Sequence, residues 1–223
     1  MHNIGQYLQS INYNNYISFS RYNEPLANIP YLLKSISILK KYAPNAKYVT
    51  NTNGDFLTKD NIKQLTGYID ELTVMDYDYS GREDLRKILN NVITVNNVYY
   101  GELDSMKVCI NHNTFDKNSR GEILGEYNCH RSVDKCSEPI YFIGIDYNGN
   151  VVPCCNFRSD FYKHSIVVCG NLFNDSLKNI VNSEKYNKII RNLHNYCKYC
   201  NKINGRYTRN EPSIFYQPQD YDK

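Results

Sequence analysis

The sequence holds no apolar run close to the roughly 20 residues that a membrane-spanning helix requires. It has no cluster of like charges either. Lys and Arg are scattered along the chain and the net charge is only +3, so the electrostatic footprint of a nucleic-acid-binding protein is missing. Met1-His2-Asn3-Ile4-Gly5 has neither the basic nor the apolar part of a secretory leader. These absences predict a cytoplasmic protein with no membrane and no nucleic-acid partner. With 41% hydrophobic and 22% charged residues, the chain is also too apolar for a disordered one. What it does have is eight cysteines. In a reducing compartment, clustered cysteines read as metal or redox chemistry rather than as disulfides.

The first half alternates strand and helix patterns. Tyr16–Ser20 reads as a strand, and Pro30–Tyr42 as a helix carrying Leu32, Leu33, Ile36 and Leu39 on one face. Pro44 follows the expected helix end. Lys47–Thr50 reads as a second strand, and Thr58 as the N-cap of a helix with Ile62 and Leu65 facing inward. Glu71–Met75 reads as a third strand. A helix is predicted from about Arg82 to Asn90 and a fourth strand over Val92–Val98. This rhythm predicts parallel strands joined by helical crossovers.

The pattern stops near Phe115, and the polar stretch Asp116–Gly121 predicts a domain boundary. The second half is cysteine-rich. A hairpin is predicted at Asp146–Asn150, between Tyr141–Ile143 and Val151–Val152. Two short helices follow, one starting near Ser176 and one near Ser183. The residues after Arg209 form a polar tail.

Cys197 and Cys200 make a C-x2-C pair, Cys154 follows the hairpin directly, and Cys136 precedes it. Four thiolates from these places suit zinc or an iron–sulfur cluster. The long separation between Cys155 and Cys197 is no obstacle. Each doubling of a loop costs about 0.6 kcal/mol, whereas a structural metal site returns about 10–16 kcal/mol. Cys155 is an alternative to Cys154, because the hairpin aims one of the two at a common centre. Cys109, Cys129 and Cys169 read as ordinary small buried residues.

Here the order of motifs resembles a known module. Cys136-Ser137-Glu138-Pro139, Ile145–Cys155, Gly170-Asn171-Leu172, Ser176-Leu177 and the C-x2-C are similar to the SPASM or twitch domain of radical S-adenosylmethionine (SAM) proteins. Asn118–Gly121 resembles the turn that often precedes that domain. No cysteine follows Cys200, so the resemblance implies one auxiliary [4Fe–4S] cluster, held by Cys136, Cys154, Cys197 and Cys200.

The first half resembles the same family. Arg21–Leu26 (RYNEPL) is similar to the motif that contacts the SAM amino group, and Asn51-Thr52-Asn53-Gly54 to the element after the next family strand. Asn23, Glu24, Pro25, Asn51 and Asn53 are the implied SAM residues, with Asp76 as a ribose contact. The implied fold is α/β. A partial (β/α) barrel lacking its first strand spans 1–118, a small α+β SPASM/twitch domain 119–210, and a polar tail 211–223. The family's catalytic C-x3-C-x2-C is absent, since no cysteine precedes Cys109. The expectation is an N-terminally truncated chain that makes no 5′-deoxyadenosyl radical alone, with a possible separate chain supplying the missing part. The implied activity is radical modification of a peptide or small-molecule substrate. The alternative is a non-catalytic iron–sulfur or zinc-binding interaction module.

Overall fold

The computed structural model describes residues 1–77, 82–96, 98–111 and 142–193. The chain forms two compact units, Met1–Phe115 and Asp116–Lys223. The first begins with α1 (His2–Ser10), β1 (Tyr16–Ser18) and a 3-10 turn at Pro25–Asn28. Next come α2 (Ile29–Lys40), β2 (Lys47–Thr52), α3 (Lys59–Leu65) and β3 (Glu71–Met75). It ends with α4 (Glu83–Arg86), β4 (Asn90–Val95), β5 (Val98–Leu103) and β6 (Met106–Asn111).

Local chemistry accounts for the helix ends. The Asn28 side chain accepts the Tyr31 N–H at the start of α2, where Pro30 sits in the first turn and has no N–H to lose. Thr58 caps α3 by accepting from Asn61 N–H. In α2 the buried positions are Ile29, Leu32, Ser35, Ile36 and Leu39, the i, i+3, i+4 stripe of a helix lying on a sheet. Burying each large apolar side chain in that stripe contributes about 1.5–3 kcal/mol.

The six strands form one sheet in the order β1-β2-β3-β6-β5-β4. β1, β2, β3 and β6 run parallel. Register separates two faces. Tyr48, Thr50, Thr52, Leu72, Val74, Val108 and Ile110 are buried and share one face, against which the helices lie. Ser18, Asn51, Thr73, Cys109 and Asn111 share the other, which is polar and partly open to solvent.

The region after β3 differs from the sequence reading. The helix predicted from Arg82 to Asn90 is only Glu83–Arg86, and Asn90 already belongs to β4. The strand predicted over Val92–Val98 is the end of one strand and the start of the next. Val95 pairs with Val98 across a two-residue turn in which Asn96 takes φ +48°. Leu103 pairs with Met106 across another such turn, with Asp104 at φ +53°. Asn and Asp tolerate this left-handed backbone, which gives hairpin turns the required twist. β5 is therefore antiparallel to both neighbours, an exception to the all-parallel expectation.

The second unit contains β7 (Gly144–Ile145), β8 (Asn150–Val152), a 3-10 segment Tyr162–Val167 and β9 (Gly170–Asn171). Its helices are α5 (Leu177–Asn182) and α6 (Glu184–Arg191), capped by Ser176 and Ser183 as the sequence predicts. β7, β8 and β9 form an antiparallel sheet. Asp146 to Gly149 form the turn, closed by Gly149 N–H to Asp146 O at 2.9 Å, with Gly149 at φ +77°. The first strand of this hairpin begins at Gly144 rather than at the predicted Tyr141–Ile143, of which residue 141 lies outside the described residues. Among the described residues, no helix is long and apolar enough to cross a membrane.

Candidate functional site

In the first unit the loops that follow β1, β2 and β3 meet at the carboxyl ends of parallel strands, the place where open α/β sheets bind ligands. Glu24 is the joint between the first two. Its Oε1 accepts Leu26 N–H at 3.0 Å and the Thr52 hydroxyl at 2.7 Å. Its Oε2 accepts Asn53 N–H at 2.8 Å. Each acceptor bond to an ionised carboxylate is stronger than its neutral counterpart. Glu24 thus holds the two predicted SAM motifs together, with three internal donors on its carboxylate.

The neighbouring predicted residues take defined places. Asn23 accepts from Arg21 N–H at 3.0 Å and donates to Phe19 O at 3.1 Å, closing the loop after β1 on itself. Pro25 is buried at the start of the 3-10 turn. Asn51 donates its N–H to Ser20 Oγ at 2.9 Å, a second tie between the same loops. The Asn53 side chain bonds Asp55 twice: its Oδ1 accepts the Asp55 N–H at 3.0 Å and its Nδ2 donates to Asp55 Oδ2 at 2.8 Å.

Asp76 stands at the end of β3 with a side chain fully buried, and Arg82 Nε lies 3.3 Å from its Oδ1. The structure brings Asn23, Glu24, Pro25, Asn51, Asn53 and Asp76 into one neighbourhood of strand ends. Sequence reasoning passed over Thr52, whose hydroxyl reaches Glu24 and accepts Gly54 N–H at 3.0 Å. It also passed over Arg82, treated there only as a helix start.

In the second unit the segment after β8 is fixed at several points. Cys154 is buried, and its sulfur accepts Asn156 N–H at 3.5 Å. Its carbonyl accepts Phe157 N–H at 3.2 Å. Ser159 N–H donates to Asp146 Oδ2 at 2.9 Å, so the hairpin turn anchors the cysteine loop. Arg158 N–H donates to Nδ1 of buried His164 at 3.0 Å, and that ring stands edge-on to Phe157 and Phe161. His164 carried no sequence signal, since a lone histidine has no spacing partner. Cys155 is half-buried.

The Gly170-Asn171 element has a structural explanation. A Cβ at Gly170 would lie 2.8 Å from Ile180, so only glycine lets α5 close on β9. Asn171 donates to Asn148 O at 2.9 Å and Asn150 Oδ1 at 2.8 Å, stapling the hairpin turn.

Cys169 is buried, donates toward Val167 O at 3.6 Å, and burial pushes its thiol up to about 12. It behaves as a small core residue, as its sequence context predicts. Among the described residues no three His, Cys, Asp or Glu side chains gather into a metal site. Of the four predicted cluster ligands only Cys154 is described. Cys136, Cys197 and Cys200 lie outside the described residues.

Residues 136–202 match the SPASM iron–sulfur cluster-binding domain. The chain is 24% identical over 208 residues to the S-adenosyl-L-methionine-dependent 2-deoxy-scyllo-inosamine dehydrogenase of Niallia circulans, an alignment covering 88% of this chain and 76% of the relative. Its fold is similar to that of BtrN in complex with AdoMet and 2-DOIA, with TM-score 0.67, 23% identity, and coverage of 90% of this chain and 78% of that one. An open conformation of BtrN superposes with TM-score 0.60 and 22% identity, covering 91% and 79% of the two chains. Residues 136–202 thus match an iron–sulfur cluster-binding SPASM domain, and the chain as a whole is similar in sequence to an S-adenosyl-L-methionine-dependent dehydrogenase and in fold to BtrN.

Proposed function

We propose that this chain serves radical SAM chemistry on a small-molecule substrate. The first unit binds part of SAM, and the second holds a [4Fe–4S] cluster auxiliary to the catalytic one. The observation that carries this reading is the Glu24 carboxylate, which joins the Asn23–Pro25 loop to Thr52 and Asn53 at the ends of parallel strands. A zinc-binding interaction module has no use for that joint. In this reading residues 1–118 contribute (β/α) barrel elements, 119–210 the SPASM domain, and 211–223 a polar tail.

The residues present fit both groups. At the strand ends, Asn23, Glu24, Pro25, Asn51 and Asn53 form a braced backbone wall for the amino-acid end of SAM, with Asp76 beside Arg82 at the end of β3. In the second unit the Cys154 sulfur already receives an amide N–H. Such hydrogen bonds stabilise thiolate ligands and tune cluster potentials. Cys136, Cys154, Cys197 and Cys200 complete the ligand set. When bound, SAM and the clusters supply one-electron cleavage and hydrogen abstraction; the chain's own residues bind, orient and shield. The likeness to a dehydrogenase acting on 2-deoxy-scyllo-inosamine favours a small molecule over a peptide.

Anaerobic equilibrium dialysis with labelled SAM tests the first half of this proposal. Saturable binding is expected, weakened at least tenfold by Glu24→Ala. Reconstitution with iron and sulfide tests the second. About four irons per chain and a brown colour are expected, with the colour lost in Cys197→Ala and Cys200→Ala. A chain that binds no SAM, or that retains zinc and takes up no iron, overturns it.

A further inference from the structure

The backbone of Asn53 is held from both sides. Its N–H donates to Glu24, on the loop after β1, at 2.8 Å. Its carbonyl accepts Arg82 Nη2, from the segment after β3, at 3.0 Å. The same guanidinium places Nε 3.3 Å from Asp76 Oδ1, at the end of β3. Arg82 therefore bridges a buried carboxylate and a loop carbonyl through two different nitrogens.

The local backbone is shaped for this bridge. Arg82 takes a left-handed conformation, φ +44°, just before α4. Gly54 takes φ +84°, and a Cβ there would stand 2.8 Å from the guanidinium carbon. Both features carry a conformational cost, and both let the guanidinium reach the peptide of Asn53. The Asp76 charge would be costly alone in its buried position, and Arg82 is the cation beside it.

We infer that Arg82 is a positioning residue for SAM, fixing the carbonyl side of Asn53 while Glu24 fixes the N–H side. The inference rests on the SAM reading above. A loop pinned at both faces of one peptide holds its binding shape before ligand arrives, and preorganisation lowers the ordering cost of binding. Lysine cannot replace arginine here, because a single ammonium cannot occupy two separated nitrogen positions.

The test uses the full chain as wild type, R82A and R82K. It measures SAM affinity by anaerobic calorimetry and hydrogen exchange over residues 51–57. R82K keeps a cation beside Asp76 and so guards against loss of fold. The expected result is at least tenfold weaker SAM binding in both variants, together with faster exchange at Asn53, Gly54 and Asp55. Wild-type affinity in R82K overturns the bridge. Faster exchange with unchanged affinity overturns the link to SAM, leaving Arg82 a purely structural residue. Weaker binding with unchanged exchange overturns positioning in favour of direct contact. A wild-type chain that binds no SAM refutes the proposed function itself, an outcome distinct from all three.

Discussion

The Glu24 carboxylate accepts the backbone N–H of Asn53 at 2.8 Å across a sequence separation of 29 residues. Two loops that the sequence places far apart thus share one acceptor. The same carboxylate also caps the 3-10 turn through Leu26 N–H, so one side chain sets the entry to α2 and the exit from β2.

Glu24→Gln separates charge from shape. The amide keeps one acceptor oxygen but turns an N–H2 toward the Asn53 N–H or toward the Thr52 hydroxyl and Leu26 N–H. Leaving a partly buried donor unmatched costs about 1–3 kcal/mol. Glu24→Ala removes the cap as well, for a further ~1 kcal/mol. Urea unfolding should rank the variants wild type, E24Q, E24A. Equal midpoints for all three would remove Glu24 from the joint described above.

Gly54 and Gly67 form a matched pair. Both have positive φ, +84° and +80°, but a Cβ at Gly67 meets nothing within 4 Å. Gly67→Ala therefore carries only the left-handed strain, roughly 1–2 kcal/mol. Gly54→Ala adds a collision with the Arg82 guanidinium. The difference between the two midpoints measures that contact. If G54A and G67A destabilise equally, the guanidinium moves aside without cost.

Cys154 and Cys155 are distinguished by iron. Cys154 is buried with an N–H on its sulfur, and Cys155 is half-buried. After anaerobic reconstitution, C154A should lose most of its iron and its visible absorption, and C155A should keep both. The opposite pattern would make Cys155 the ligand and Cys154 a core residue.

Cys169 supplies the pH-dependent prediction. Burial raises its thiol from 9.0 to about 12, partly opposed by Lys185. At pH 8 roughly one such thiol in 10⁴ is ionised. Alkylation should reach Cys155 long before Cys169. The raised value also sets a sign: its contribution to stability is complete below pH 9 and is lost as pH climbs toward 12. Cys169→Ala should flatten the alkaline loss of stability in that window. Rapid labelling of Cys169 in the folded chain at pH 8 would contradict the burial that causes the shift.

Local pattern was enough for much of this protein. Thr58, Ser176 and Ser183 announce helix starts because a capping hydroxyl acts within three residues. Glu71–Met75 and the α2 stripe are legible because burial on one face imposes a period on the residues themselves. The Asp146–Gly149 turn is legible because glycine alone supplies the left-handed backbone cheaply. Where a run of β-formers contains its own turn, the period is ambiguous, and Val92–Val98, one strand by its pattern, is the end of one strand and the start of the next.

Tertiary structure alone decided how the site residues are joined. That Glu24 reaches Asn53, and that Arg82 closes the far side of the same peptide, depends on β1, β2 and β3 lying side by side in register. Hydrogen bonds between loops carry no periodicity, so no spacing in the chain encodes them. The sequence by itself marked β2, β3, α2, α3 and the turn of the cysteine-bearing hairpin, where a local period or cap is written in the residues. The parallel order of the sheet determined which of their ends meet, because distance in space is set by strand neighbours and not by distance along the chain.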